Sequence, residues 1–274
     1  MPGNSNVEMR VGVAGLGAIG LAVARRLDDG IPGLRLAAVA GRDLAKTQAA
    51  ATTLSHAPKV VPALALPQHA EVVVDCAPSA AFDTIAEATM EASRILLTVN
   101  AAALLRRLEL VQQAQAHGGR IIVASGALLG LDAVVAAAEG RIDSIRMVTR
   151  KPPAGLRGAP YLAERGITLE NLTAPVKVFE GSAGEGALGF PANVNVAAAL
   201  SLAGIGPERT RLEIWADPGI DRNIQAYEVE ADCARFSVSI ENVPSQENPR
   251  TGRITALSVI AALRRLVSPL VIGT

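Results

Sequence analysis

A glycine-rich segment near the start of the sequence has a spacing that suits phosphate binding. It reads Gly15-Leu16-Gly17-Ala18-Ile19-Gly20, follows the apolar run 10–14 and precedes apolar residues at helical spacing. In this strand–turn–helix context Gly15 allows the tight turn, Gly17 lets a pyrophosphate approach the backbone, and Gly20 lets the helix pack closely. The helix N-terminus, at Ala18 and Ile19, then faces the phosphates. An ordinary glycine-rich turn is the alternative, and the context favours a dinucleotide site.

The residues after the second predicted strand bear on the choice of dinucleotide. This strand, 34–40, is followed by Gly41-Arg42-Asp43. An acidic side chain here binds the ribose of NAD, whereas an arginine pairs with the 2′-phosphate of NADP. Arg42 therefore favours NADP, while Asp43 either reaches the ribose or caps the next helix. We expect NADP or NAD as the cofactor.

The first half of the chain continues as alternating strands and helices. Further strands are predicted at 71–75, 94–99 and 120–124, with helices between them. This alternation predicts an α/β fold with a doubly wound parallel sheet of the Rossmann type. Ala77 and Pro78 follow one of these strands, at the sheet edge where a nicotinamide binds.

After about residue 132 the pattern changes to strands that alternate apolar and polar residues. Such alternation is typical of a sheet with one face in water. We therefore predict residues 1–131 as a dinucleotide-binding domain, completed by a C-terminal helix within 251–274. Residues 132–250 are predicted to form an α+β substrate domain with a mostly antiparallel sheet.

Composition excludes several classes of protein. The chain has 274 residues, of which 50% are hydrophobic, and its formal net charge is zero. This charge balance does not suggest a nucleic-acid partner, whose phosphates would call for a basic surface. Its two cysteines form no metal-ligand cluster, so no metal site is predicted and the reducing cytoplasm is the expected compartment. The uncharged run 186–207 contains Pro191, which favours a buried helix over a membrane span.

Several segments of the second half resemble the L-aspartate dehydrogenase family, and the similarity extends from the glycine-rich segment to the C-terminal helix. The segments that carry it are Ser125–Ala133, Thr149–Pro153, Phe179–Ala183, Pro191–Ala198, Ile240–Pro244 and Asn248–Thr251. The resemblance implies hydride transfer between NAD or NADP and the Cα of L-aspartate or iminosuccinate. It places Asn195 and the loop 125–131 against the cofactor, with Leu129 where the family usually has a small residue. It also implies a homodimer that forms through the sheet of residues 132–250, which would then be a substrate and dimerisation domain.

The sequence departs from the family at the catalytic histidine, which follows Arg-Asn-Thr in the family pattern. Here the segment reads Arg222-Asn223-Ile224-Gln225, so Gln225 occupies the histidine position. The three histidines of the chain all precede residue 118. Glutamine cannot exchange a proton near neutral pH and can only orient a ligand through its amide.

Three other polar residues are candidates for binding the substrate. Lys151 can bind a carboxylate, can act as a base if burial lowers its pKa, or can be a solvated lysine. Arg222 can bind a dicarboxylate bidentately or form a surface ion pair. Asn223 belongs to the same segment as Gln225, and Asn193 is expected to cap the uncharged helix.

Three functions fit these observations. The first is an NAD(P)-dependent amino-acid dehydrogenase or imine reductase of the aspartate dehydrogenase type, acting on a small amino acid, imine or 2-oxo acid. The second is an oxidoreductase of the same fold with a different carbonyl or imine substrate. The third is a non-catalytic NADP-binding protein. A protein of this kind would keep the glycine-rich segment and lose the catalytic histidine.

Overall fold

The computed structural model describes residues 8–245 and 251–273. The resemblance segment at Asn248–Arg250 therefore lies outside the described residues. The chain divides into two compact units. The first contains the described residues of Met1–Asn100, Arg107–Ala124 and Ala256–Val271, and the second those of Ala101–Arg106, Ser125–Thr255 and Ile272–Thr274.

The helices and strands are numbered in chain order. Those that begin before residue 125 are β1 (Met9–Ala14), α1 (Ala18–Asp28), β2 (Leu34–Ala40), α2 (Leu44–Ala51), β3 (Lys59–Val60), α3 (Leu66–His69), β4 (Val72–Asp75), α4 (Phe82–Glu91), β5 (Ile95–Thr98), α5 (Ala101–Leu105), α6 (Glu109–His117) and β6 (Arg120–Val123). The others are α7 (Leu131–Ala138), β7 (Ile142–Lys151), α8 (Pro153–Leu156), α9 (Pro160–Glu164), β8 (Val176–Ser182), α10 (Ala183–Gly189), α11 (Asn195–Ala203), β9 (Thr210–Ala216), β10 (Asn223–Ala231), β11 (Arg235–Asn242) and α12 (Ile254–Val267).

The first unit is built on a six-stranded parallel sheet. Its strand order is β3-β2-β1-β4-β5-β6. Strands of such a sheet are covered on both faces, so they are apolar throughout rather than alternating; all four residues of β4 are buried. The order reverses between β1 and β4, and ligands of open α/β sheets bind beside this switch point.

The C-terminal helix contributes to the core of the first unit. Val259 and Leu263 of α12 are fully buried and belong to the apolar cluster that contains Val11 and Val74. The apolar positions recur at a four-residue spacing, which places them on one face of the helix.

The second unit contains a five-stranded mixed sheet in the order β11-β10-β7-β9-β8. The neighbours β11–β10, β10–β7 and β9–β8 are antiparallel, and β7–β9 is parallel. Burial alternates along β7, so one face of the sheet is covered by protein and the other is open. The predicted fold class, a doubly wound parallel sheet plus an α+β second domain, is confirmed. The functional roles assigned to residues 1–131 and 132–250 stay predictions.

The sequence predicted a buried helix in the uncharged run 186–207, but the structure has two helices there. Helix α10 ends at Gly189, an irregular segment that includes Pro191 follows, and α11 begins at Asn195. Proline lacks the N–H that a continuous helix needs, which explains the break. Among residues 8–245 and 251–273, no helix combines the length and the hydropathy of a membrane span.

Candidate functional site

The glycine-rich loop joins β1 to α1 at the carboxyl edge of the parallel sheet. Gly15 has a φ of +86°, a left-handed conformation that favours glycine. A Cβ at Gly15 would lie 2.7 Å from backbone atoms of Ala77, and one at Gly20 would lie 1.8 Å from the carbonyl oxygen of Gly15. Both glycines are therefore required by the close packing of the loop itself.

Gly17 differs from these two glycines because a Cβ there would meet no atom within 4 Å. It is the N-cap residue of α1 and has an ordinary φ of −79°, and no side chain caps this end of the helix. The first N–H groups of an α-helix have no partner within the helix, and they attract anions. An open glycine beside uncapped N–H groups fits the pyrophosphate of a dinucleotide.

Arg42 and Asp43 lie beyond the end of β2. The carboxylate of Asp43 accepts a hydrogen bond from the backbone N–H of Lys46 at 3.1 Å and so caps α2. The hydroxyl of Thr47 donates to the carbonyl oxygen of Asp43, which fixes the turn. Arg42 is exposed. Because the Asp43 carboxylate is engaged in capping, Arg42 is the better placed of the two to bind a ribose 2′-phosphate.

Ala77 and Pro78 follow β4 at the same edge, where a buried polar network holds them. The Asp75 carboxylate accepts hydrogen bonds from the Thr98 hydroxyl at 2.8 Å, the Asn100 amide at 2.9 Å and the Ala77 N–H at 3.1 Å. The Asn100 amide also donates to the Ala77 carbonyl oxygen. Burial raises the pKa of Asp75 although these donors oppose the shift. The network fixes the backbone of the predicted nicotinamide-binding segment.

Sequence reasoning missed this network, although the sequence contained a signal for it. Polar residues end two consecutive apolar strands, at Asp75 and Thr98, and Asn100 follows. Neighbouring parallel strands end at one edge of the sheet, so these side chains had to meet. Cys76 directly follows Asp75, and burial raises the pKa of its thiol, which makes it unreactive.

Three of the four proposed substrate residues share one face of the second sheet. Gln225 of β10 pairs with Thr149 of β7, and Ile224 pairs with Arg150. The next positions along these two antiparallel strands are Asn223 and Lys151. Side chains alternate between faces with a period of two, so Asn223, Gln225 and Lys151 point to the same side.

Lys151 is buried rather than solvated, with 6% of its surface exposed. Its ammonium group donates to the backbone carbonyl oxygen of Asn193 at 3.0 Å and to the side-chain oxygen of Asn193 at 3.1 Å. Burial lowers the pKa of Lys151 to about 8. The N-cap of α11 is Val194, so Asn193 does not cap that helix as expected and instead holds Lys151.

Gln225 is also buried, with 2% exposure, and its orientation is fixed. The Thr149 hydroxyl donates to the Gln225 side-chain oxygen at 2.6 Å. This bond occupies the acceptor end of the amide, and the NH₂ end remains the donor that the residue can offer to a ligand. Thr149 was not singled out from the sequence, because only the strand register brings it opposite Gln225.

Arg222 precedes β10 and is half-buried. Its guanidinium group donates to both carboxylate oxygens of the adjacent Asp221, at 2.7 and 3.2 Å. The structure therefore contains the ion pair that was the alternative to carboxylate binding. An engaged guanidinium must exchange partners before it can bind a substrate, so Arg222 is the weakest of the four candidates.

The two residues of the second unit that were predicted to contact the cofactor are both tied to neighbouring backbone. The Asn195 side-chain oxygen accepts from the Ala102 N–H at 3.0 Å, at the start of α5. The Tyr227 hydroxyl donates to the Leu129 carbonyl oxygen at 2.8 Å. The Leu129 side chain itself is 43% exposed. These bonds leave the Asn195 amide NH₂ and the Leu129 side chain available to a ligand.

No group of three or more potential metal ligands occurs within residues 8–245 and 251–273. The parallel sheet with a glycine-rich loop beside its switch point defines a dinucleotide-binding protein. Residues 15–124 match the NAD-binding domain of homoserine dehydrogenase, and residues 132–266 match the family described as aspartate dehydrogenase, C-terminal.

Similarity to proteins named as L-aspartate dehydrogenases extends over almost the whole chain. An L-aspartate dehydrogenase from Bradyrhizobium diazoefficiens is 54% identical, with 97% of this chain and 95% of that protein covered. L-aspartate dehydrogenase 3 from Bordetella bronchiseptica is 52% identical, with 99% and 100% covered. The chain belongs to the L-aspartate dehydrogenase family. The crystal structure of aspartate dehydrogenase from Thermotoga maritima, 23% identical, has the same fold with a TM-score of 0.71 over 97% of this chain and 100% of that one.

We predict that Gly17→Ala weakens NADPH binding at least tenfold without destabilising the protein. The open space and ordinary φ at Gly17 accommodate a methyl group, which would then occupy the place of the pyrophosphate. Fluorescence titration with NADPH and thermal denaturation measure the two effects. Gly20→Ala is the comparison, because its methyl group would overlap the Gly15 carbonyl and should lower the melting temperature. Unchanged NADPH affinity in Gly17→Ala would argue against this binding site.

We predict that Arg42→Ala weakens NADPH binding about tenfold or more and changes NADH binding by less than threefold. The guanidinium group would pair with the 2′-phosphate, which NADH lacks. The same titration with both cofactors measures the effect. Arg35→Ala is a matched control, because Arg35 is an exposed arginine of β2. Equal losses for the two cofactors would contradict a role in 2′-phosphate binding.

Proposed function

We propose that this protein catalyses the NAD(P)-dependent interconversion of L-aspartate and iminosuccinate. The observation that carries the proposal is identity above 50% over nearly the full length of two L-aspartate dehydrogenases. The polar groups of the second unit support it independently. Lys151, Asn223 and Gln225 offer an amine and two amides on one face of a sheet, which suits a substrate that carries an amino group and carboxylates.

The cofactor, when bound, supplies the hydride acceptor or donor for the substrate Cα. In the proposed site, the Gln225 NH₂ group donates to a substrate carboxylate, with Thr149 holding the amide in that orientation. Asn223 provides a second amide on the same face. Hydride transfer depends chiefly on positioning, so these fixed donors serve the reaction without exchanging protons.

The replacement of the family histidine by Gln225 supports one alternative, a substrate other than L-aspartate. A general base contributes roughly 10²–10⁴-fold to the rate, so an enzyme with Gln225 and no other base would be slow with L-aspartate. Gln225 and the exposed Leu129 would then adapt the site to another amino acid, imine or carbonyl compound. If no group replaces the missing base, the protein would bind NADP without catalysing a reaction.

We also propose that the protein is a homodimer in the cytoplasm. The open face of the second sheet has Arg146 of β7, Glu180 of β8 and Arg211 of β9 around a cavity of about 310 Å³. A face with both charges can pair with a second copy of itself. Cys76 and Cys233 are both free thiols, which agrees with a reducing compartment. A purely monomeric species in sedimentation velocity would exclude the dimer.

We predict that the purified protein oxidises NADPH in the presence of oxaloacetate and ammonia. Gln225→Leu should lower kcat/KM about tenfold or more, because it removes a buried hydrogen-bond donor worth about 1.5–3 kcal/mol to a charged ligand. Steady-state absorbance assays measure this, with a panel of other 2-oxo acids and amines tested alongside.

Gln112→Leu is the matched control, because Gln112 is exposed on α6 and lies outside the site. Turnover only with other members of the panel would favour the alternative substrate. Tight NADPH binding without any turnover would contradict the proposed function and favour the non-catalytic protein.

A further inference from the structure

We propose that Lys151 exchanges the substrate proton in this protein, in the place of the family histidine, and that Asn193 is its positioning residue. The inference rests on the proposed function and assigns the acid–base step of that reaction. It follows from three features of the second unit, which are the position of Lys151, its hydrogen bonds and its surroundings.

The first feature is the position of Lys151 relative to Gln225. Thr149 lies opposite Gln225 in the strand pair, and Lys151 is two residues further along β7 on the same face. Positions two residues apart in a strand are separated by roughly 6.5 Å. A lysine side chain and a small ligand can together bridge this distance. A ligand held by the Gln225 amide is therefore within reach of the Lys151 amine.

The second feature is the hydrogen bonding of the ammonium group. A lysine has three N–H donors, and Asn193 accepts two of them through its carbonyl oxygen and its side-chain oxygen. One donor remains for a ligand in the charged form. In the neutral form the nitrogen can keep two N–H donors on Asn193, and its lone pair then takes the place of the third donor. Asn193 thus holds the nitrogen in one position in both protonation states.

The third feature is that Lys151 forms no ion pair with a carboxylate among residues 8–245 and 251–273, so no such pair keeps it permanently charged. Arg150 precedes Lys151 in β7, and the backbone N–H of Asp217 donates to the Lys151 carbonyl oxygen at 2.9 Å. The side chains of Arg150 and Asp217 pair with each other at 2.5 Å. Helix α8, which packs against β7, and helix α11 contain no charged residue. Burial alone lowers the pKa of Lys151 to about 8, a value suited to proton exchange near neutral pH.

The proposed step balances protons and electrons. In the oxidative direction, neutral Lys151 accepts a proton from the α-ammonium group of aspartate and becomes an ammonium group. The freed amine lone pair then forms the C=N bond as the Cα–H bond breaks and its electron pair leaves with the hydrogen as hydride to the nicotinamide. In the reductive direction, charged Lys151 returns the proton to the new amine.

The test compares Lys151→Met and Lys151→Arg with the wild-type protein. Arginine keeps the positive charge at every accessible pH but cannot exchange a proton, so it separates carboxylate binding from acid–base chemistry. Both variants should lose about 10²–10⁴-fold in kcat/KM for L-aspartate oxidation and bind NADPH within threefold of wild type. Lys59→Met is the matched control, because Lys59 is exposed on β3.

The pH profile gives a readout that a structural role would not affect. For wild type, kcat/KM for L-aspartate should rise as the pH increases through about 8, because the neutral amine is the active form, and both variants should lose this step. Gln225→His introduced into Lys151→Met should recover at least tenfold. Asn193→Ala should change the pH at which kcat/KM rises.

Two results would overturn the proposal. One is activity of Lys151→Arg within threefold of wild type, and the other is a wild-type kcat/KM that falls as the pH rises through about 8. Either would make Lys151 a carboxylate-binding cation instead. Lack of wild-type turnover would contradict the proposed function itself, and so the two failures are distinguishable.

Discussion

The antiparallel pairing of β7 with β10 is the constraint on which the candidate substrate site depends. Its register places Gln225 opposite Thr149 and puts Lys151 and Asn223 at the next positions of the same face. A shift of one residue would turn every side chain of one strand to the opposite face. Buried residues of both strands, including Met147 and Tyr227, make such a shift costly because it would expose them. Apolar burial along the strands thereby fixes the arrangement of the polar groups at their ends.

The first unit positions its candidate residues by close packing. Gly15 and Gly20 are needed where backbone segments approach each other, whereas Gly17 is open. Asp75, Thr98 and Asn100 then fix the segment after β4 through buried hydrogen bonds, each of which would be costly to leave unmade. The dinucleotide loop therefore has its shape before any ligand binds, which lowers the entropic cost of binding.

The sequence predicted those features that depend on local geometry. The glycine-rich loop was predictable because the turn, the close approach and the helix start each require glycine at a fixed spacing. The alternation of strands and helices was predictable because buried parallel strands are apolar throughout. The environment of Lys151 was not, because its partner Asn193 lies 42 residues away and meets it only through the tertiary fold. For the same reason Thr149 was missed. The role of Gln225 rests on resemblance, since no local pattern distinguishes it from any other strand glutamine.

In the proposed reaction, hydride passes between the Cα of aspartate and the nicotinamide ring. The most direct measurement uses L-aspartate deuterated at Cα with NADP⁺, followed by mass spectrometry of the reduced cofactor. We expect NADPH to carry the deuterium and oxaloacetate to appear in equal amount as the imine hydrolyses. Formation of unlabelled NADPH, or of oxaloacetate without reduced cofactor, would contradict it.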